Sequence, residues 1–133
     1  MEKEDDIRWK QRFNNFQRSI KVLEKSLEIV NPNETEQAGI ILFYELSFEL
    51  AWKVLKDYLE FGGFNTKSPR EVIKIAFQTE CISNGQKWLE ALEDRNLIVY
   101  TYDEANAISL LLKIRVEYFP LLKELHEWLL LKL

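Results

Sequence analysis

The sequence predicts an all-α fold, an up-and-down bundle of four to five helices, on three observations. Only 4 glycines and 3 prolines punctuate 133 residues, too few for the many turns of an all-β chain. Apolar residues recur at spacings of three and four over long stretches, which places them on one side of a helix. The stretches are separated by brief turn and cap segments, "NPNET", "FGGFNTKSP" and "SNGQ", and such short connections favour antiparallel neighbours in a bundle. The chain has one domain's length and shows no repeat, low-complexity tract or linker, so a single domain over residues 1–133 is expected.

The first helix carries Trp9, Phe13, Phe16, Ile20, Leu23 and Leu27, an aromatic-rich seam stepping by four and three. Pro32 forbids its continuation, and Asn33 or Thr35 can cap the second helix. That helix runs to about Phe61 and carries Ile41, Leu42, Leu46, Trp52, Leu55 and Leu59. Gly62 and Gly63 stop it, because both tolerate the left-handed conformation of a helix C-terminus. Ser68, Pro69 and Glu71 then combine a capping serine, a proline at the first helical position and a glutamate three residues after the cap. The third helix should bury Val72, Ile75 and Ala76 and end near Ser83, and a shorter fourth from about Gln86 to Asp94 uses Trp88, Leu89 and Leu92. The last helix is expected from about Thr101, where Thr101 and Glu104 form a second capping-box pattern. It carries Ile108, Leu111, Leu112, Arg115 and Phe119, bends at Pro120, and resumes through Leu122, Leu125 and Leu129.

Composition excludes several function classes. A net charge of -4 and an acidic pI leave no overall attraction to nucleic acid or anionic lipid, so any phosphate contact must come from a local patch. The charged opening "MEKEDDIRWK" and the lack of a long apolar run predict no membrane span and a cytoplasmic location. A lone Cys81 gives no internal disulfide, and with one histidine, His126, there is no metal set and no implied cofactor. His126, in "LKELHEWLL", reads as a surface or interface residue. Four tryptophans, eight phenylalanines and five tyrosines exceed what one small core needs. The surplus points to a second subunit, with the first-helix seam and the last helix as the expected faces.

The stretch "DRNLIVYTYDEANA" is the densest candidate site, with Arg95, Asn96, Tyr100 and Tyr102 in one interval between helices. "LIVYT" favours helix weakly, so a break is expected there. Arg95 and Tyr100, about 140° apart on a continuous helix, can share a site only across such a break. A helix N-terminus beside an arginine can hold a phosphate, but Asp103 and Glu104 already occupy that positive end. The alternative is structural: Arg95 pairs with Asp94, Asp103 or Glu104, Asn96 caps a helix C-terminus, and the tyrosines pack. In "ELSFELAWKVLKDYLE", Glu45, Glu49, Lys53, Lys56 and Asp57 read as a solvated face with a few ion pairs, or, for Glu45 and Glu49, as the lining of a cleft that orients Arg95.

"ALEDRNLIVYTYDEANA", "FELAWKVLKDYLEFGGF" and "SPREVIKIAF" together resemble the HEPN family, in particular its nucleotidyltransferase substrate-binding, HepT-like branch, over nearly the whole chain. The resemblance implies a homodimeric helical subunit that partners a minimal nucleotidyltransferase in a toxin–antitoxin pair. It also implies a signature of arginine, four residues, histidine, one residue and tyrosine. Arginine and histidine from two subunits form a metal-independent ribonuclease site in the dimer cleft, with RNA as substrate, and the tyrosine accepts AMP from the partner enzyme. On this chain Arg95 takes the arginine position, followed by the polar Asn96, and Tyr102 takes that of the AMP acceptor. Tyr100 stands where the family has histidine.

That departure has a chemical consequence. Metal-free RNA cleavage needs a base for the 2′-hydroxyl proton and an acid for the leaving oxygen, roles that imidazole fills near neutral pH. A phenol with a pKa of about 10 is almost wholly protonated there. Tyr100 can donate a hydrogen bond but is a poor base. Partnering a nucleotidyltransferase does not require the histidine. Tyr102 is then either the acceptor, with metal and base supplied by the partner, or an anchor for the start of the last helix.

Overall fold

The computed structural model describes residues 2–98 and 104–133, and within them the chain is helical. Helix α1 spans Glu2–Leu27, α2 Glu34–Phe61, α3 Pro69–Gln78, α4 Gly85–Leu97 and α5 Glu104–Lys113. A π-helical turn, Ile114–Tyr118, leads directly into α6, Phe119–Leu130.

Several boundaries follow the cap chemistry. Asn33 caps α2, its Oδ1 accepting from the Glu36 N–H at 2.8 Å while the Glu36 side chain accepts from the Asn33 N–H at 2.9 Å, a complete capping box. At the other end only Gly63 is left-handed, with φ 94°. Phe64 N–H reaches Leu59 O at 2.8 Å and Gly63 N–H reaches Glu60 O at 3.0 Å, the paired bonds of a Schellman motif. Ser68 caps α3 through the Glu71 N–H at 3.2 Å.

Helix α3 ends at Gln78, well before the expected Ser83. The reason is a second Schellman motif with Glu80 in the left-handed position, φ 63°. Cys81 N–H bonds Ala76 O at 2.8 Å and Glu80 N–H bonds Phe77 O at 3.1 Å. Cys81 and Ile82 then turn back into the core. Helix α4 runs past the expected Asp94 to Leu97, so Arg95 and Asn96 belong to its last turn. Pro120 neither ends nor breaks the last rod. The chain widens one turn ahead of it, with Phe119 N–H bonded to Ile114 O, and this accommodates a ring that would crowd the carbonyl four residues back. The expected start near Thr101 and its capping box lie outside the described residues.

The core is built where the first-helix seam predicts it: Trp9, Phe13, Phe16, Ile20 and Leu23 are all buried against α2 and α6. The seam is therefore internal to the protomer and is not a free subunit face. Helix α2 lies at the centre, burying Ile40, Tyr44, Phe48, Ala51, Val54, Leu55 and Leu59, while Leu42 and Leu46 face outward. On the last rod the buried row is Ala107, Leu111, Ile114, Tyr118, Leu122, Leu125 and Leu129. Ile108 and Leu112, expected in that row, are exposed. Asp57, expected on a solvated face, is buried and takes the Arg12 Nε–H at 3.0 Å. His126 stacks on Phe13 with ring centroids 5.4 Å apart and bonds Gln17 through Nε2 at 2.9 Å. It packs in the α1/α6 seam, and burial holds its pKa below the ordinary imidazole value.

Candidate functional site

Helix α4 crosses the outer side of α2, and this crossing sets Arg95 beside Glu49. The guanidinium Nη2 lies 3.0 Å from Glu49 Oε2, and Nη1 donates to Asn96 Oδ1 at 3.3 Å. The same Glu49 oxygen accepts from Trp52 Nε1 at 3.0 Å, while Lys53 Nζ approaches the other at 3.4 Å. Burial pushes the Glu49 carboxyl upward in pKa, but the Trp52 hydrogen bond and the charges of Arg95 and Lys53 outweigh it, so the group sits below its ordinary range. Glu49 is thus an ionised clamp for Arg95. Arg95 Nε–H is buried and has no acceptor among the described residues. A donor in that condition is costly unless a ligand or partner completes it.

The expected partner Asp94 points elsewhere. Its carboxylate accepts the Tyr118 hydroxyl proton and lies 3.4 Å from Lys113 Nζ. Glu90 takes Lys87 at 3.1 Å, and Lys87 reaches Glu117 at 2.6 Å. Tyr118 stacks on Tyr44 at 5.6 Å, and Tyr44 donates to Ala91 O at 2.7 Å. Burial, and then the neighbouring Asp94, raises the Tyr118 phenol far above its usual pKa. This network ties the π-turn to α4 and fixes the direction in which α4 presents Arg95. Asn96 is not a C-cap. It lies inside the last turn, exposed, as the acceptor for Arg95 Nη1.

An open groove of about 570 Å3 adjoins this region between α2, the end of α4 and α5. Ile41, Leu42, Leu97, Ile98 and Leu110 form its apolar wall, and Glu45 stands one helical turn before Glu49 on its edge. Glu45 does not touch Arg95. Of the residues singled out in the sequence, Arg95 and Asn96 are placed together, Glu49 joins them, and Tyr100 and Tyr102 lie outside the described residues. The sequence offered Glu45 and Glu49 together as residues that orient Arg95, and among the described residues the ion pair is made by Glu49. Its signal was a tryptophan at i+3 and a lysine at i+4 on one helix.

The profile of the family described as "Nucleotidyltransferase substrate binding protein like" matches residues 11–130, from the first aromatic seam into the last turns of α6. The chain belongs to that family. Among solved structures, a protein from Thermus thermophilus aligns with a TM-score of 0.77 and 26% identity, over 83% of this chain and 94% of that one. No curated protein matches the chain. This family member therefore shares its helical-bundle fold with that bacterial protein, and its family name ties it to nucleotidyltransferases. No described helix is long and apolar enough to cross a membrane.

Proposed function

We propose that this protein is the HepT-like subunit of a cytoplasmic toxin–antitoxin pair, a single HEPN domain over residues 1–133 that dimerises and binds a minimal nucleotidyltransferase. The observation that carries this reading is the family match over residues 11–130. Arg95, Asn96 and Tyr102 stand at the signature positions, and Arg95 is clamped by Glu49 with one donor unused. Tyr102 is the acceptor. Its phenolic oxygen attacks the α-phosphorus of ATP, the bond to the β-phosphate bridging oxygen breaks, pyrophosphate leaves, and the phenol proton passes to a base of the partner enzyme. Intact-mass spectrometry after incubation with ATP, magnesium and a minimal nucleotidyltransferase encoded beside this chain tests it. One or more added AMP units, absent in Tyr102→Phe, support the proposal. An unmodified chain, or modification that persists in Tyr102→Phe, removes Tyr102 as acceptor.

The unused Arg95 Nε–H favours a second reading, a ribonuclease in which Arg95 holds an RNA phosphate and Tyr100 replaces imidazole. A phenol is a weak base near neutral pH, so this reading requires Tyr100 to act mainly as a hydrogen-bond donor. Loss of RNA cleavage in Arg95→Ala with an unchanged circular-dichroism spectrum would support it. A wild-type protein with no cleavage would exclude it.

A further inference from the structure

A second open groove, also of about 570 Å3, shares no lining residue with the one beside Arg95. It lies between the turn that follows α3 and the C-terminal half of α6, and its two walls are built alike. Phe77 and Glu80 come from the end of α3 and its turn, while Glu124 and Trp128 stand one helical turn apart on α6. Each wall therefore offers one aromatic ring and one carboxylate. Cys81 also lines the groove, and burial holds its thiol above the ordinary pKa, so it adds no charge there.

The fold leaves both carboxylates without a cation. The Glu80 side chain has no partner among the described residues, and Glu124 accepts only the neutral Ser83 hydroxyl, at 2.6 Å. Other carboxylates on these helices are met by cations, Glu24 by Lys123, Glu117 by Lys87 and Asp57 by Arg12. None of the described residues lining the groove is lysine or arginine. The aromatic wall nonetheless already attracts a cation. Lys132 Nζ lies 4.7 Å from the centre of the Trp128 ring, and no carboxylate pairs with it among the described residues. What holds an ammonium there is the electron-rich face of the indole.

We propose that this groove binds a free aliphatic diamine or polyamine, its methylene chain lying between Phe77 and Trp128 and its charged ends meeting Glu80 and Glu124. The arrangement selects that class. A neutral apolar ligand would leave both carboxylates unmet, and a single cation would leave one of them. A dication with an apolar stem meets both rings and both charges, because a methylene chain packs along apolar surface while its ammonium ends stay hydrated. The volume lies within the range of small-ligand sites. The site goes beyond the nucleotidyltransferase reading and uses none of its residues.

Isothermal titration calorimetry of the full chain at low salt tests the proposal with three probes of one length: hexamethylenediamine, hexylamine and the neutral hexamethylene glycol. The diamine should bind with a Kd of about 1 mM or tighter, hexylamine at least about threefold more weakly, and the glycol not measurably. Glu80→Gln and Glu124→Gln should each weaken diamine binding about threefold and together reduce it to the level of the glycol, with an unchanged circular-dichroism spectrum. Glutamine at position 124 keeps an oxygen for Ser83. Glu28→Gln, at an exposed carboxylate just past the end of α1, should change nothing. No heat from the diamine at millimolar concentration, a glycol that binds as well as the diamine, or diamine binding indifferent to the double substitution overturns the proposal. N-acetyl-lysine methylamide binding more tightly than the diamine would also overturn it, and would assign the groove to a basic side chain of another protein. AMP transfer to Tyr102 is read separately by intact mass, so the two readings fail independently.

Discussion

Replacing Glu49 by glutamine isolates the charge of the clamp while leaving an oxygen for Trp52 Nε1. The carboxylate and guanidinium are 3.0 Å apart, and their side chains are 31% and 28% exposed. At that distance the Coulomb attraction is about 1.4 kcal/mol in bulk water and several-fold larger at reduced dielectric. Desolvation of both groups offsets much of the increase, and pairs of comparable exposure are worth up to about 1 kcal/mol. Glu49→Gln should therefore cost about 1 kcal/mol at pH 7, a loss of about 3–5 °C in Tm for a chain of this size. The pH dependence carries the sharper test. Because the folded carboxyl lies below its ordinary range, the contribution is complete above the unfolded value of about 4.3 and is lost as pH falls through the lowered folded value. Urea denaturation of both proteins from pH 7 toward pH 3 should show the gap closing at the acid end. A gap that stays constant with pH would refute the electrostatic clamp, as would additivity of Glu49→Gln and Arg95→Ala in a double-mutant cycle.

Three further outcomes are expected. Glu80→Gly should stabilise the protein by about 1 kcal/mol in thermal unfolding, because glycine removes the steric cost of φ 63° at the end of α3. Gly85→Ala should destabilise by about 1–3 kcal/mol in urea titration, since an added Cβ would lie 2.9 Å from Phe77 Cγ and 3.1 Å from Phe77 Cβ, the fixed root of that side chain. His126 is held toward its neutral form by burial on Phe13, so its contribution to stability falls as pH drops below the unfolded value of about 6.5. In His126→Phe the decline in Tm between pH 7 and pH 5.5 should be shallower than in the wild type.

Where the backbone follows local chemistry, the sequence was legible. Asn33, Gly63, Ser68 and Pro69 mark helix ends through their own side chains or lack of one, and the structure uses each as expected. The end of α3 was hidden because Glu80 fills a position that normally advertises itself with glycine. On the last rod Leu111 is buried as expected, while Ile108 and Leu112 face outward. Ile108 and Leu112 step by four as well as Ala107 and Leu111 do, and only packing against α2 and the π-turn chooses between the rows. Glu45 and Glu49 were both open as residues that orient Arg95, and which of them meets it is a tertiary fact that neither segment contains alone. His126 looked peripheral because a lone histidine near a chain end gives no sign of the Phe13 ring stacked on it.

The proposed function requires this helical bundle to pair with a minimal nucleotidyltransferase. Sedimentation velocity on the purified chain, on a nucleotidyltransferase encoded beside it, and on their mixture tests this pairing. A faster boundary containing both proteins is expected in the mixture at micromolar concentration, formed equally by wild type and Tyr102→Phe. Two boundaries that move as the separate proteins do, at every mixing ratio, would contradict it.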